Sequence, residues 1–203
     1  MSESTSDTPG TGTGEKPDSS HFRDATSLIT GEHTRVLDGV DPDAWARAGS
    51  LVLEAPAVFT VGTGRSGLAL QMAAMRFMHL GKSAYVVGET TTPAIGSGDV
   101  LVAASGSGST KRVVTAARTA SEEGAHVLAI TTNPESDLAG LATEILVVPA
   151  ADKQDFEGTA SAQYAGSLFE QCVLILTDSL FHALWQTSGS QARELWRLHA
   201  NLE

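Results

Sequence analysis

The sequence predicts a single α/β domain in which a five-stranded parallel sheet is covered by helices on both faces, a flavodoxin-like or Rossmann-like three-layer fold. From residue 57 onward, short β-branched runs alternate with helical stretches. A chain of 203 residues, 41% of them hydrophobic, can bury one full core but not two. Glycine- and hydroxyl-rich loops follow the first and third predicted strands, where ligands bind in such sheets.

Two helices are predicted ahead of the first strand. Residues 1–20 are rich in Ser, Thr, Gly, Pro and Asp, so they are predicted to form a disordered tail. Residues 21–203 are predicted to form the domain. The helices are expected at 22–40 and 43–54, the second opened by Asp41-Pro42, a capping residue followed by a first-turn proline.

The remaining elements alternate along the chain. Strands are predicted at 58–61, 84–87, 100–104, 126–130 and 144–148. Helices are predicted at 67–80, at 110–123, as a short segment from Ser136 or Asp137, at 169–186 and at 191–202. In the first of these, Leu68, Met72, Met75 and then Met78 or His79 recur at helical spacing and are expected to form its buried stripe. Gly124 is expected to end the second as a C-cap would.

Composition excludes several classes of function. The net charge of −11 argues against nucleic-acid binding, which needs a basic surface. No apolar run approaches the roughly 18 residues that span a bilayer, and the N-terminus lacks a signal-peptide pattern, so we expect a soluble, cytoplasmic protein without a membrane partner. Cys172 lies in an apolar run and is expected to be a packed thiol. The histidines show no ligand spacing, which predicts no metal.

The first glycine-rich loop allows two interpretations from its residues alone. Gly62-Thr63-Gly64-Arg65-Ser66-Gly67 matches the dinucleotide fingerprint GxGxxG, with Glu89 as a candidate ribose ligand. Glu89 is rather far along the chain for that role and lies in a polar loop. The other interpretation is a tight strand-to-helix turn that needs glycine for close packing.

The second loop indicates a phosphate site. It reads Ser105-Gly106-Ser107-Gly108-Ser109-Thr110 and runs into a helix that begins near Lys111. Backbone N–H groups, hydroxyls and the helix N-terminus would together bind a monoester phosphate. The nucleotide P-loop motif GxxxxGK[ST] and the hydrolase motif GxSxG are both absent. The alternative is that these residues only cap the helix.

These loops and several other segments belong to one pattern. The segments are 61–67, 75–81, 87–95, 105–110, Gly166-Ser167-Leu168-Phe169-Glu170 and the terminal His199-Ala200-Asn201-Leu202-Glu203. In them the sequence resembles the sugar isomerase (SIS) domain family, and within it the 6-phospho-3-hexuloisomerase branch. The resemblance covers most of the chain from about Phe22. It implies a single SIS-type domain and a homotetramer without cofactor that interconverts 3-hexulose 6-phosphate and fructose 6-phosphate in the ribulose monophosphate pathway of formaldehyde handling.

The resemblance also implies roles for residues. Glu170 would be the base that moves the proton, the alternative from its position being a carboxylate that only stabilises a helix N-terminus. His199, with Asn201, would enter a neighbouring subunit's site. An end cap at the surface is an equal alternative for this pair, and His79 is expected to be structural. Substrate contacts would come from Gly64, Arg65, Ser66, Ser105, Gly106, Ser107, Gly108, Ser109 and Thr110. The chain departs from the family where a Pro-x-Gly-Thr approach to the carboxylate is replaced by Gln163-Tyr164-Ala165-Gly166-Ser167.

Two other functions stay open at this point. One is a SIS isomerase that acts on a different ketose phosphate. The other is a non-catalytic sugar-phosphate sensor, which usually accompanies a DNA-binding region that this chain has no room for.

Overall fold

The fold contains one parallel sheet of five strands. The computed structural model describes residues 16–150 and 161–202. The strands are β1 (Ala57–Val61), β2 (Ser83–Val86), β3 (Val100–Ala104), β4 (His126–Thr131) and β5 (Glu144–Val147). They pair in the order β2-β1-β3-β4-β5, and all four pairings are parallel. The five predicted strands are confirmed, each with its ends within one residue of the prediction.

Helices account for most of the remaining regular structure. They are α1 (Ser19–Asp38), α2 (Pro42–Glu54), α3 (Gly64–His79), α4 (Lys111–Glu122), α5 (Ser167–Ser188) and α6 (Ala192–Trp196). The predicted cap of α2 is confirmed, since the Asp41 side chain accepts a hydrogen bond from the N–H of Asp43. Gly124 follows α4 with a φ of 77°, the left-handed conformation that glycine adopts readily after a helix.

The first helix begins earlier than predicted. Asp18 is its N-cap, and the carboxylate accepts hydrogen bonds from the N–H groups of Ser20 and His21. Ser19 and Ser20 were expected in the disordered tail, and the structure places them in α1 instead. An isolated polar segment gives no helical periodicity, so only the cap could have marked this boundary. The tail prediction for residues 1–15 lies outside the described residues.

Two predicted helices are shorter than expected. After β4 the chain forms only a single 3₁₀ turn, Ala139–Leu141, where a short helix was predicted from Ser136 or Asp137. At the C-terminus, α6 covers five of the twelve residues predicted to be helical at 191–202. None of the residues in α6 is buried, so no packing extends the helix beyond its capping box.

The strands alternate their side chains between two cores. One core lies between the sheet and α1, α2, α3 and α5, and includes Val58 and Val100. The other lies between the sheet and α4 with the 3₁₀ turn, and includes Phe59 and Leu101. The predicted helical cover on both faces is therefore confirmed, and the sheet is buried from both sides.

The predicted buried stripe of α3 is wrong for most of its members. Leu68, Met72 and Met75 are 60%, 51% and 58% exposed, whereas Met78 is partly buried and His79 is buried. The helix instead turns a second stripe of smaller and aromatic residues toward the core, made of Ala69, Leu70, Ala73, Ala74 and Phe77. Since α3 has apolar residues on both sides, periodicity alone could not tell which side packs. Alanines on the inner side allow α3 to lie close to α5.

Helix α5 is the central helix of the larger core. By length and composition alone it could cross a membrane, an exception to the expectation that no segment would qualify. Its buried residues pack into the core cluster, and it contacts α1, α2 and α3. Cys172 is one of these buried residues, as predicted, and burial raises the pKa of its thiol to about 11.

Candidate active site

A crevice opens at the carboxyl edge of the sheet between β1 and β3. These strands are neighbours, but α3 follows β1 on one face of the sheet and α4 follows β3 on the other. The loops after the two strands therefore diverge, which creates the crevice where α/β proteins bind ligands. The start of α5 lies beside it, because a Cβ atom built on Gly106 would be 3.4 Å from the ring of Phe169.

Three helices begin at this crevice without a side-chain cap. In the described part of the chain, the N-cap residues Thr63 of α3, Thr110 of α4 and Gly166 of α5 make no capping side-chain hydrogen bond. The first N–H groups of a helix are then available to an anion, which the helix dipole also favours. This local positive potential can attract a phosphate to a chain whose net charge is −11.

The Ser105–Thr110 loop is anchored through its inner side. The carbonyl oxygen of Gly106 accepts hydrogen bonds from Thr131 Oγ1 at 3.0 Å, Thr132 N at 3.0 Å and Thr132 Oγ1 at 2.8 Å. Gly108 has a φ of 64°, and a Cβ atom there would overlap the Ser136 hydroxyl. The β4 end therefore fixes the backbone of the loop, while Ser107 and Ser109 stay exposed at the crevice.

The four hydroxyl side chains of the loop form two pairs. Ser105 Oγ and Thr110 Oγ1 are 2.8 Å apart, and Ser109 Oγ donates to Ser107 Oγ at 3.0 Å. None of these hydroxyls caps α4, so the alternative that the loop serves only as a helix cap does not account for them. The loop brings all six predicted phosphate-loop residues together at one helix start.

The Gly62–Gly67 turn is closely packed. A Cβ atom on Gly62 would lie 2.8 Å from the backbone nitrogen of Gly67, and one on Gly67 would lie 2.9 Å from the carbonyl oxygen of Gly62. The close-packing interpretation therefore explains both glycines. Glu89 lies in the turn after β2, as the polar-loop interpretation expected. A cavity of about 240 Å³ adjoins the turn and is also lined by Arg112.

The central feature of the crevice is an ion pair between α3 and α5. Arg65 Nε donates to Glu170 Oε2 at 2.6 Å. The Arg65 side chain is 63% exposed, whereas that of Glu170 is 8% exposed. A groove of about 180 Å³ between the two helices is lined by both residues. Glu170 directly follows Phe169, whose ring would lie 3.4 Å from a Cβ atom on Gly106 of the Ser105–Thr110 loop.

The other predicted residues of the first loop differ in access. Gly64 has a φ of 57°, and no described atom lies within 4 Å of the position that its Cβ would occupy. Ser66 is only 3% exposed, so its side chain lies inside the fold rather than on the crevice surface.

His199 lies far from this crevice within one chain. It follows α6, and its ring stacks on that of His79 at 4.0 Å and on that of Trp196 at 4.5 Å. His79 ends α3, fourteen residues after Arg65, which is about 21 Å along the helix. Burial lowers the pKa of His79, and His199 and Arg76 lower it further. The stack supports the structural role predicted for His79.

Several contributors to the site have no signal in the sequence. Thr131 and Thr132 hold the phosphate loop, and they could only have been suspected as hydroxyl residues after a strand. Glu32 and Gln171 support the approach to Glu170 through contacts across the fold. Among residues 16–150 and 161–202, no group of three His, Cys, Asp or Glu side chains could hold a metal ion.

Comparison with known proteins defines the class. The SIS domain model matches residues 51–175, and this span includes the crevice loops and Glu170. The chain therefore belongs to the SIS domain family. The fold agrees, since solved structures of this type superpose on most of the chain.

Two named relatives and one solved structure are similar to most of the chain. The chain is 49% identical to the 3-hexulose-6-phosphate isomerase of Mycobacterium gastri, over 87% of this chain and 89% of that protein. It is 40% identical to the protein of the same name from Bacillus subtilis strain 168, over 75% and 83% of the two chains. A Methanococcus jannaschii structure, for which that isomerase function was inferred, superposes with a TM-score of 0.76 at 26% identity, over 89% of this chain and 99% of that one.

Proposed function

We propose that this protein is a cytoplasmic 3-hexulose-6-phosphate isomerase of the ribulose monophosphate pathway, in which formaldehyde is assimilated. It interconverts 3-hexulose 6-phosphate and fructose 6-phosphate without a cofactor. The observation that carries this proposal is the buried Glu170 carboxylate, paired with Arg65 beside a hydroxyl-rich helix start. The named relatives at 49% and 40% identity support the same reaction.

The loop at Ser105–Thr110 binds the phosphate of the substrate. Its Ser107 and Ser109 hydroxyls are exposed, and the N–H groups that open α4 receive no side-chain cap. A dianionic monoester accepts hydrogen bonds from both kinds of donor. Phosphate binding at this place positions the sugar carbons toward the start of α5, where Phe169 contacts the loop.

Glu170 then moves the proton between carbons. Its carboxylate removes the proton from C2 of the 3-hexulose, and the electron pair forms the C2–C3 double bond of a 2,3-enediolate. The same carboxyl group returns the proton to C3, while the proton of the O2 hydroxyl passes to O3, so that C2 becomes the carbonyl and C3 carries a hydroxyl. Arg65, within 2.6 Å of Glu170, stabilises the negative charge that develops on the enediolate oxygen, and Gly64 lets the sugar approach the turn.

The proposal includes self-association as a homotetramer. Leu68, Met72 and Met75 form an exposed apolar stripe on α3, next to the groove that contains Glu170. Burial of this stripe against another copy would stabilise an assembly. Light scattering should give the mass of four chains, and a variant that carries Leu68→Gln and Met72→Gln should give a smaller species. A monomeric mass for the wild-type protein would contradict the proposed homotetramer.

The proposed role of His199 requires a neighbouring copy, because His199 lies at the far end of α3 from Glu170 in its own chain. We assign it to proton transfer between O2 and O3 in a neighbouring subunit's site. Mixing the inactive variants Glu170→Gln and His199→Ala should restore part of the activity, since hybrid assemblies contain sites with both residues. No recovery after confirmed subunit exchange would contradict the assignment.

The reaction itself is tested by product formation. A synthase supplies 3-hexulose 6-phosphate, and a coupled dehydrogenase reports fructose 6-phosphate. We expect turnover with this substrate and none with a heptulose phosphate. Turnover with the heptulose phosphate alone would indicate a different SIS isomerase. Ligand binding without turnover of either compound would indicate a sensor.

A further inference from the structure

The segment that leads into Glu170 has an unusual backbone. Ala165 has a φ of 25°, and Gly166 follows with a φ of 77°. Within residues 16–150 and 161–202, Ala165 is the only residue other than glycine with a positive φ. For an L-residue this conformation costs about 1 kcal/mol or more and persists only when its surroundings hold it. Because α5 starts directly after this turn, the turn sets the direction in which Glu170 enters the groove.

A single carboxylate on α1 binds the segment just before this turn. Glu32 accepts hydrogen bonds from Ser161 Oγ at 2.8 Å, from Ala162 N at 2.8 Å and from Gln163 Nε2 at 2.9 Å. Gln163 N also donates to Ser161 Oγ at 3.0 Å, which links the two ends of the segment. Three consecutive residues are therefore fixed to one side chain from a helix that lies about 130 positions earlier in the chain.

The next residue of α1 holds the chain on the other side of Glu170. His33 Nε2 lies 2.8 Å from Gln171 Oε1. With Glu32 and His33, α1 therefore contacts the chain before the left-handed turn and again one residue after Glu170. The position of Glu170 relative to α3 and Arg65 depends on both contacts.

The charge of Glu32 suits this role. Burial alone would raise its pKa, but hydrogen bonds from Gln163, Ala162 and Ser161, with the nearby Arg35, outweigh burial and hold the pKa below its usual value. An ionised carboxylate accepts several hydrogen bonds at once, whereas a neutral amide has one acceptor oxygen and adds donors of its own.

We propose that Glu32 is a positioning residue for Glu170: it fixes residues 161–163 to α1, which holds the strained Ala165-Gly166 turn and sets the carboxylate of Glu170 against the substrate. This inference rests on the proposed function, because it assumes that Glu170 is the base. It assigns a role in turnover to a residue that does not contact the substrate. Among the described residues, Glu32 accepts its hydrogen bonds from residues 161–163 and not from residues 105–110, the proposed phosphate site, so substrate binding should depend on it little.

The first test compares Glu32→Gln with Asp24→Asn, which removes the same charge from an exposed position of α1. We expect kcat to fall about 10-fold to 100-fold in Glu32→Gln, because small displacements of a catalytic group have effects of this size. KM should stay within about twofold. Asp24→Asn should match the wild type. An unchanged kcat in Glu32→Gln would overturn the proposal.

A double-mutant cycle separates positioning from general stability. If Glu32 acts through Glu170, Glu32→Gln should lower kcat much less in the Glu170→Gln background than in the wild type. An equal factor in both backgrounds would overturn the proposal. Should Glu32→Gln fail to fold, Gln163→Leu removes one of the three hydrogen bonds, and the same pattern is expected with a smaller fall in kcat.

The same variants distinguish a failure of the proposed function from a failure of the positioning role of Glu32. Unchanged turnover in Glu170→Gln would contradict the proposed function itself. A collapse of turnover in Glu170→Gln with normal turnover in Glu32→Gln would contradict only the positioning role.

Discussion

The six α-helices in the described residues begin in two ways. The starts of α1, α2 and α6 are closed by side chains: Asp18 and Asp41 act as N-caps of α1 and α2, and at α6 the Glu194 carboxylate accepts a hydrogen bond from the N–H of Gln191. The starts of α3, α4 and α5, which meet at the crevice, have no capping side chain in the described structure. A cap stabilises a helix by satisfying its first N–H groups, but those donors can then no longer bind a ligand. Local stability and anion binding thus compete for the same atoms.

The largest effect on activity is expected when a side chain is introduced that caps the start of α4. Thr110→Asp would place a capping carboxylate in the proposed phosphate site. We expect kcat/KM to fall by about 1,000-fold, since a like charge next to the phosphate costs several kcal/mol. The free energy of unfolding should rise by about 1 kcal/mol, because Asp is a strong N-cap. Steady-state kinetics and urea unfolding measure the two quantities.

The matched control for this change is Thr110→Asn, which caps a helix without charge. It should gain similar stability and lose less activity, because it occupies the same N–H groups without adding a like charge. If both variants lost activity equally, occupation of these N–H groups rather than charge would decide phosphate binding.

The next effect concerns the cation at the open start of α3. Arg65→Met should lower kcat by about 100-fold, because the enediolate loses its charged donor. Arg76, near the other end of the same helix, lies over the ring of Phe181 at 5.4 Å. Arg76→Met removes the same charge and should leave kcat within about twofold. Equal losses in the two variants would indicate a general charge effect instead.

Removal of the side-chain cap at the start of α2 should lower the stability of the protein and leave its activity unchanged. Asp41 accepts a hydrogen bond from Asp43 N at 2.9 Å, and Asp41→Ala should lower the free energy of unfolding by about 1 kcal/mol. Chemical denaturation measures the loss, and turnover at a temperature well below the melting point should be unchanged. A clear fall in turnover would show that capped starts also matter to the crevice.

The smallest effect is expected at the start of α1 in acid. Hydrogen bonds from the Ser20 and His21 side chains, and then from their backbone N–H groups, hold the pKa of Asp18 below its usual 3.8. The cap is therefore complete above pH 3.8 and is lost as pH falls further, through the folded-state pKa. The protection of the His21 amide against hydrogen exchange, relative to an unfolded chain at the same pH, should fall only in that range. Asp18→Asn should remove this pH dependence, and an unchanged profile in that variant would contradict the assignment.

Much of the fold was predictable because the signals were local. The strands and both crevice loops are marked by β-branched runs and by glycines and hydroxyls that follow them. Their convergence at one edge follows from parallel strand order, which the sequence pattern also predicts. Glu170 and Arg65 were named from a resemblance, whereas their 2.6 Å contact could not be derived from residues 105 positions apart.

The wrong prediction for α3 and the missed contacts of Glu32 share one physical cause. Leu68, Met72 and Met75 were placed inside because the sequence has two apolar stripes on α3, and only packing against α5 decides between them. The role of Glu32 had no local signal, since its three partners lie across the fold. Contacts of this kind depend on the tertiary structure and not on sequence spacing.

The single thiol of the chain has a practical consequence. Because burial inside α5 raises its pKa to about 11, the Cys172 side chain is almost entirely a thiol at neutral pH. Maleimide reagents should therefore ignore it under native conditions. A cysteine introduced at an exposed position can carry a spectroscopic probe without first removing the native one, so subunit exchange can be followed by energy transfer in an otherwise unaltered protein.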